Sequence, residues 1–297
     1  MRSQAEPTIH PADRPTSIGA SRSAARTVID AAQPWRFVDF GELWRSRDLL
    51  WMLTARDLKV RYRQAVVGAA WAVLQPVLTM VIFGVLFGLL GRKPAAGDAP
   101  YLVTAYCGLL PWHLLATSLS QATASLVNDR HVITRVYFPR MLLPMASVVA
   151  ALVDFGIAAV VLAGLMAWFG IAPTLALVTL PGFVLLAVLV ALGAGLWLSA
   201  LNALYRDIGY TVPFLLQVGF FVSPVVYETA ALVPERWRLV YSLNPMVGAI
   251  EGFRWALLGG PAPPMAMLGV SMAVAAAFLL GGMAFFRRVE HVIADRI

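Results

Sequence analysis

Three stretches of this chain contain no Asp, Glu, Lys or Arg: Ala99–Asn128, Phe155–Tyr205 and Trp255–Phe286. A helix needs about 20 apolar residues to cross a hydrocarbon layer. Each stretch is long enough to cross once, and the middle one is long enough to cross twice. The chain therefore reads as an all-α integral membrane protein, and its function is to be sought at a membrane.

The composition agrees: 13% of residues are charged, against roughly 25% in a soluble domain. A pI near 10.0 raises the question of nucleic-acid binding. However, 11 of the 23 basic residues precede Gln64, mixed with seven acids, and no aromatic-basic platform or zinc pattern accompanies them. The charge is better matched to anionic lipid headgroups. The single cysteine, Cys107, excludes an intrachain disulfide and a cysteine metal site, and its apolar setting makes it a packing residue. Residues 1–34 are rich in Pro, Ser, Ala, Thr and Arg. They read as a disordered cytoplasmic tail rather than a targeting segment.

Six spans are expected, at about 66–90, 101–127, 141–169, 175–204, 211–227 and 265–286. Pro76 is expected to kink the first. Pro111 is expected to divide the second, leaving its early part free to lie along the interface. Region 232–258 contains Asn244, Pro245, Glu251 and Arg254, too polar for an ordinary span. It reads as short re-entrant or interfacial helices on the outer side, covered by protein or a cavity. With six spans and a cytoplasmic N-terminus, 13 basic residues flank the inner ends and five the outer ends. Both termini are thus placed in the cytoplasm.

Ahead of the first span, residues 43–63 form a candidate interface helix. At 100° per residue, Trp44, Trp51, Ala55, Leu58 and Tyr62 share one stripe. Arg56, Asp57, Arg61 and Arg63 fall away from it, and the helix also carries Lys59. Such a helix lies in the membrane plane with its aromatic rings at headgroup depth. Whether it is only an anchor, or also a wall for a partner or a gate for an amphiphilic substrate, stays open at this level.

Chemistry-bearing residues are few. Asp154 is the one acid well inside a clear span, a functional candidate by default. Its own helix offers no base, so it reads either as one end of a helix–helix bond or as a gating group. The histidines, His10, His113, His131 and His291, have no metal-ligand spacing. The Ser and Thr residues of 116–125 stand in no GxSxG elbow and suit bonds between helices. No catalytic, cofactor or metal site is expected. The phosphate-binding pattern GxxxxGK[ST] is absent, and the only lysines are Lys59 and Lys93. Energy for uphill transport would enter through another polypeptide.

Two further segments are informative. In 128–140, Asn128 can cap a short helix with Asp129 in its first turn. That helix is either a docking element or an ordinary positive-inside loop. In 241–258, Asn244 can cap and Pro245 can open a helix on which Glu251 and Arg254 share a face. This fits either a gate near the outer mouth or a helix lying flat on the outer surface.

Four segments together resemble the permease subunit of bacterial ABC-2 exporters, most closely the polysaccharide branch. They are LTARDLKVRYRQAVVGAAWAVLQPVLTMVIFGVLFG (53–88), NDRHVITRVYFPRMLLP (128–144), NALYRDIGYTVPFLLQVGFFVSPVVY (202–227) and YSLNPMVGAIEGFRWALLG (241–259). The resemblance implies an ABC-2 transmembrane domain over 35–297 in a bacterial inner membrane. It implies a homodimer with two cytoplasmic ATPase subunits, which hold ATP and Mg, and an undecaprenyl-linked glycan as substrate. A coupling helix would map onto 128–137, with Asn128, Asp129, Arg130, His131, Arg135 and Tyr137 toward the ATPase. The path would run between the two copies along the first, second and fifth spans. Candidate lining or gating residues there are Trp71, Phe83, Phe87, Tyr101, Tyr106, Trp112, Phe220 and Phe221, on whose rings sugar faces can stack. Asn244, Pro245, Glu251 and Arg254 would stand at the outer mouth. An ABC-2 drug or lipid exporter permease and a secondary transporter are the alternatives.

Overall fold

The computed structural model describes residues 40–63, 70–89, 101–133, 138–172 and 174–296. The expectations for the tail and for Arg135 and Tyr137 fall outside the described residues, as do the side chains of Trp71 and Phe87. Helices dominate, and no strand occurs among the described residues.

The entry segment is two helices, α1 (Phe40–Arg45) and α2 (Arg47–Arg63), rather than one continuous helix over 43–63; the chain turns at Ser46. Next come α3 (Ala70–Leu89), α4 (Tyr101–Asn128), the single turn α5 (Arg130–Ile133) and α6 (Leu142–Trp168). A 3₁₀ turn at Leu175–Thr179 leads into α7 (Leu180–Leu204), with Pro181 in its first turn, where a missing N–H costs nothing. Then follow α8 (Asp207–Val222), the short α9 (Thr229–Leu232) and α10 (Glu235–Tyr241), α11 (Pro245–Leu258) and α12 (Met265–Arg296). Four segments are long and apolar enough to cross a membrane: α4, α6, the 3₁₀ turn with α7, and the part of α12 up to Glu290. Val73–Leu86 of α3 and the whole of α8 are apolar but shorter.

α4 is the spine. Its 28 residues extend about 42 Å at 1.5 Å per residue. Its most apolar stretch is 78% buried, against 17–28% in the other three long segments. α3, α6, α7, α8 and α11 all pack on it. This explains why α4 tolerates so many Ser, Thr and Gln side chains: most face protein, not lipid. Pro111 does not divide it. The helix runs unbroken through a fully packed Pro111, because neighbouring helices hold the locally unpaired backbone in place.

Close helix contacts follow small residues. A Cβ on Gly193 of α7 would lie 2.6 Å from the Leu279 amide nitrogen of α12, and one on Gly282 would lie 2.5 Å from the Gly193 carbonyl oxygen. Across α4 and α7, Asn202 donates to the Thr123 carbonyl at 2.8 Å. A second apolar cluster under α2 joins Leu53, Leu126, Phe138, Leu142, Leu196 and Phe286. Within it α2 is seated mainly on α6.

Candidate docking face, groove and outer network

At the α2 end, four side-chain contacts tie distant segments together. Arg56 donates to Asp57 at 2.8 Å and to Asp129 at 2.6 Å. Partial burial alone would lower the Arg56 pKa, but the bonds to Asp129 and Asp57 outweigh it and hold the guanidinium above its ordinary value. Asp154 of α6 accepts from both Arg61 and Tyr62 of α2, and Arg61 also donates to Gln121 of α4.

This corrects the stripe reading of the entry helix. Arg61 and Tyr62 both turn inward to the acid, although the 100° projection separates them. A long guanidinium stem can reach sideways past its own helix face. Trp44 and Trp51 remain outside, 70% and 67% exposed. Lys59 and Arg63 are also exposed. The partner of Asp154 comes from another helix, 93 residues away in sequence.

Asn128 is the last residue of α4, not the cap of a new helix. The single turn of α5 is closed by the Asp129 carbonyl, which accepts from Val132 and Ile133 at 2.9 and 3.2 Å. Arg130 and His131 are exposed on that turn. Asp129 instead faces Arg56, so this loop and the entry helix form one charged surface. Arg140 donates to the Glu290 carbonyl at 2.6 Å, fixing the end of α12 beside it.

A groove of about 610 Å³ opens between α3, α4 and α8. Phe83, Trp112, Phe220 and Phe221 form one end of its wall, with Phe220 as the hub. Its centroid lies 5.8 Å from Phe83, 6.0 Å from Trp112 and 5.3 Å from Phe221. Such tilted and edge-to-face spacings are favourable aromatic contacts. The rest of the wall mixes the apolar Ala116 and Leu216 with His113, hydroxyls and the amides of Gln75, Gln121 and Gln217. Sequence reasoning missed these glutamines, which are scattered over three helices. Tyr106 is fully buried and donates to the Ala158 carbonyl at 3.3 Å. It packs inside the subunit and lines no open surface of it.

Beyond the far end of α8, a network staples residues 223–229 to α4 and α11. Tyr101 donates to the Val226 carbonyl at 3.0 Å. Asn244 caps α11 by accepting from the Met246 amide at 3.1 Å, with Pro245 opening the helix, and its own amide donates to Ser223 at 2.9 Å. Glu251 accepts from the Thr229 amide and hydroxyl at 2.9 and 2.8 Å. Arg254, 5% exposed, lies 3.4 Å from Glu251. It also donates to the carbonyls of Pro224, Val225 and Tyr227 at 3.0, 3.1 and 3.3 Å. Gly108 permits this approach, because a Cβ there would sit 2.1 Å from the Val225 oxygen. α11 is almost wholly buried against α4, α7 and α12, so it does not lie flat on a surface.

Among the described residues no cluster of three His, Cys, Asp or Glu side chains is placed to hold a metal. The arrangement offers a charged surface at one end, a polar-aromatic groove, and a braced loop at the other end.

Residues 48–258 match the family model described as ABC-2 type transporter. The chain is 30% identical over 257 residues to the O-antigen export system permease protein RfbA of Myxococcus xanthus, covering 86% of this chain and 98% of that one. It is 26% identical over 251 residues to the protein of that name in Klebsiella pneumoniae, covering 84% and 94%. It is 22% identical over 253 residues to the polysialic acid transport protein KpsM of Escherichia coli, covering 81% and 93%. A multi-pass helical chain matched over most of its length belongs to the ABC-2 type transporter family, as a permease subunit of the kind found in polysaccharide export systems.

Proposed function

We propose that this chain is the membrane subunit of an ATP-driven exporter. It carries an undecaprenyl-linked, O-antigen-like polysaccharide from the cytoplasmic to the outer side of a bacterial inner membrane. The observation that carries this reading is the near-full-length likeness to O-antigen export permeases. A groove walled by aromatic rings and amides is consistent with it.

On this reading α3 and α8 complete six spans, and both termini are cytoplasmic. α8, at 16 residues, is about 24 Å long, and residues 223–227 after it complete the crossing. The exposed apolar faces of α3 and α8, including Leu78, Ile82, Phe214 and Leu215, meet a second copy. Two ATPase subunits, carrying ATP and Mg, dock on 128–137 and on α2. ATP-driven closure pushes on this loop, and the Arg56–Asp129 bridge passes the push to α2. Arg61 passes it to α4 and α6. The braced region around Arg254 serves as the outer gate.

Deletion of the gene tests the reading. Lipid-linked glycan is expected to accumulate inside the cell, with restoration by the wild-type copy. Normal surface glycan in the deletion strain contradicts it, and lost drug tolerance with normal glycan favours a drug or lipid exporter.

A further inference from the structure

The polar part of the groove presents Gln75, Thr79, His113, Thr117, Gln121 and Gln217 from three helices. Gln75 and Gln217 are exposed on the single subunit. A polar group without a partner is strongly disfavoured in hydrocarbon, and intramembrane polar residues face cavities or protein. This wall therefore faces polar matter rather than lipid tails. None of its described lining residues is Asp, Glu, Lys or Arg. Arg61, which donates to Gln121 of the lining, is already paired with Asp154.

Resting on the exporter reading above, we propose that this groove is the surface along which the glycan slides, and that it takes a neutral, hydroxyl-rich chain in preference to a polyanionic one. Amides and hydroxyls both donate and accept, so they match sugar hydroxyls whichever way the sugar turns. The adjoining rings of Phe83, Trp112, Phe220 and Phe221 stack on apolar sugar faces. A carboxylate on every residue of the chain would lose hydration here and meet no counter-charge, a cost repeated at each step. The lining thus separates two classes of glycan that one exporter family can serve.

The test uses the purified permease–ATPase complex in lipid nanodiscs. A benzophenone is attached at Ser120→Cys, another groove-lining position, in a Cys107→Ala background. A second sample carries it at Val160→Cys on α6, 73% exposed and outside the groove. The probes are undecaprenyl-diphosphate-linked oligomers of equal length, one of mannose and one of sialic acid. The groove label is expected to capture the mannose chain about tenfold more than the sialic acid chain, while the α6 label shows no such preference. Gln75→Lys/Gln217→Lys is expected to raise capture of the acidic chain several-fold by supplying counter-charge. Equal or greater capture of the acidic chain by the unaltered lining overturns the charge preference and leaves the exporter reading standing, because a glycan has then been caught in the path. Capture of neither chain by a complex that hydrolyses ATP overturns the groove assignment. The exporter reading fails separately, through normal surface glycan in the deletion strain.

Discussion

Arg56 of α2 and Asp129, just past the end of α4, are joined at 2.6 Å across 73 residues of sequence. The contact makes the entry helix and the proposed docking loop one charged unit. The pair is partly open, with side chains 36% and 19% exposed, so its contribution to stability is about 0–1 kcal/mol. Its importance is expected in transmission. Arg56→Asp or Asp129→Arg alone should lower export by about tenfold, equivalent to about 1.4 kcal/mol. The double swap should recover most of it, with the melting temperature barely moved in all three. Equal loss in singles and swap, at normal protein levels, would show that the pair transmits nothing.

The Arg61–Asp154 pair is more enclosed, at 26% and 15% side-chain exposure. Asp154→Leu removes the counter-charge of Arg61 and the acceptor of Tyr62, and is expected to cost about 2–4 kcal/mol. Arg61→Leu/Asp154→Leu should be less damaging than Asp154→Leu alone, because no unpaired charge remains. Thermal unfolding of the detergent-solubilised complex checks the order. A double variant worse than both singles would contradict it.

Arg254 holds three carbonyls as well as Glu251. On the pair alone, Glu251→Gln should be rescued by adding Arg254→Gln. The carbonyl contacts reverse that expectation. Arg254→Gln should cost about 3–5 kcal/mol and exceed Glu251→Gln, and the double variant should stay close to Arg254→Gln. Arg254→Lys should rescue little, since an ammonium cannot span the positions a planar guanidinium reaches. Full rescue by lysine would refute the bracing role.

Glu228 lies beside this network, and one of its carboxylate oxygens is buried without a partner. Burial pushes its pKa above the ordinary carboxylate range; Arg254 pulls it back and Glu251 pushes it further up. The folded state then holds a proton that the unfolded state has already lost. Stability from this group is full below the unfolded pKa and declines as pH rises through the folded one. Glu228→Gln should therefore raise the melting temperature at pH 8 and leave it unchanged at pH 4. The same shift at both pH values would contradict the titration.

The charge-free runs made most of the helical layout legible, because apolar length is a local property. The Asn244–Pro245 start of α11 and the Glu251–Arg254 spacing were equally local. Arg61 falls off the inward stripe because an angular projection fixes the direction of the backbone position and not the reach of a long side chain, and its partner Asp154 sits on another helix. Pro111 suggested a break that packing around α4 suppresses. Tyr106 resembled any other aromatic residue until burial placed it in the core. The groove was hidden because no single helix carries it: Gln75, Gln121 and Gln217 meet only when α3, α4 and α8 assemble.

Reconstitution tests the central claim most directly. The permease and its partner ATPase are incorporated into proteoliposomes with undecaprenyl-linked glycan in the leaflet bearing the ATPase, and glycan reaching the opposite leaflet is measured by lectin binding. Transfer is predicted only with ATP and Mg, only with both subunits, and not with an ATPase unable to hydrolyse ATP. Gradient-driven transfer by the permease alone, or ATP hydrolysis with no glycan crossing, would contradict the account.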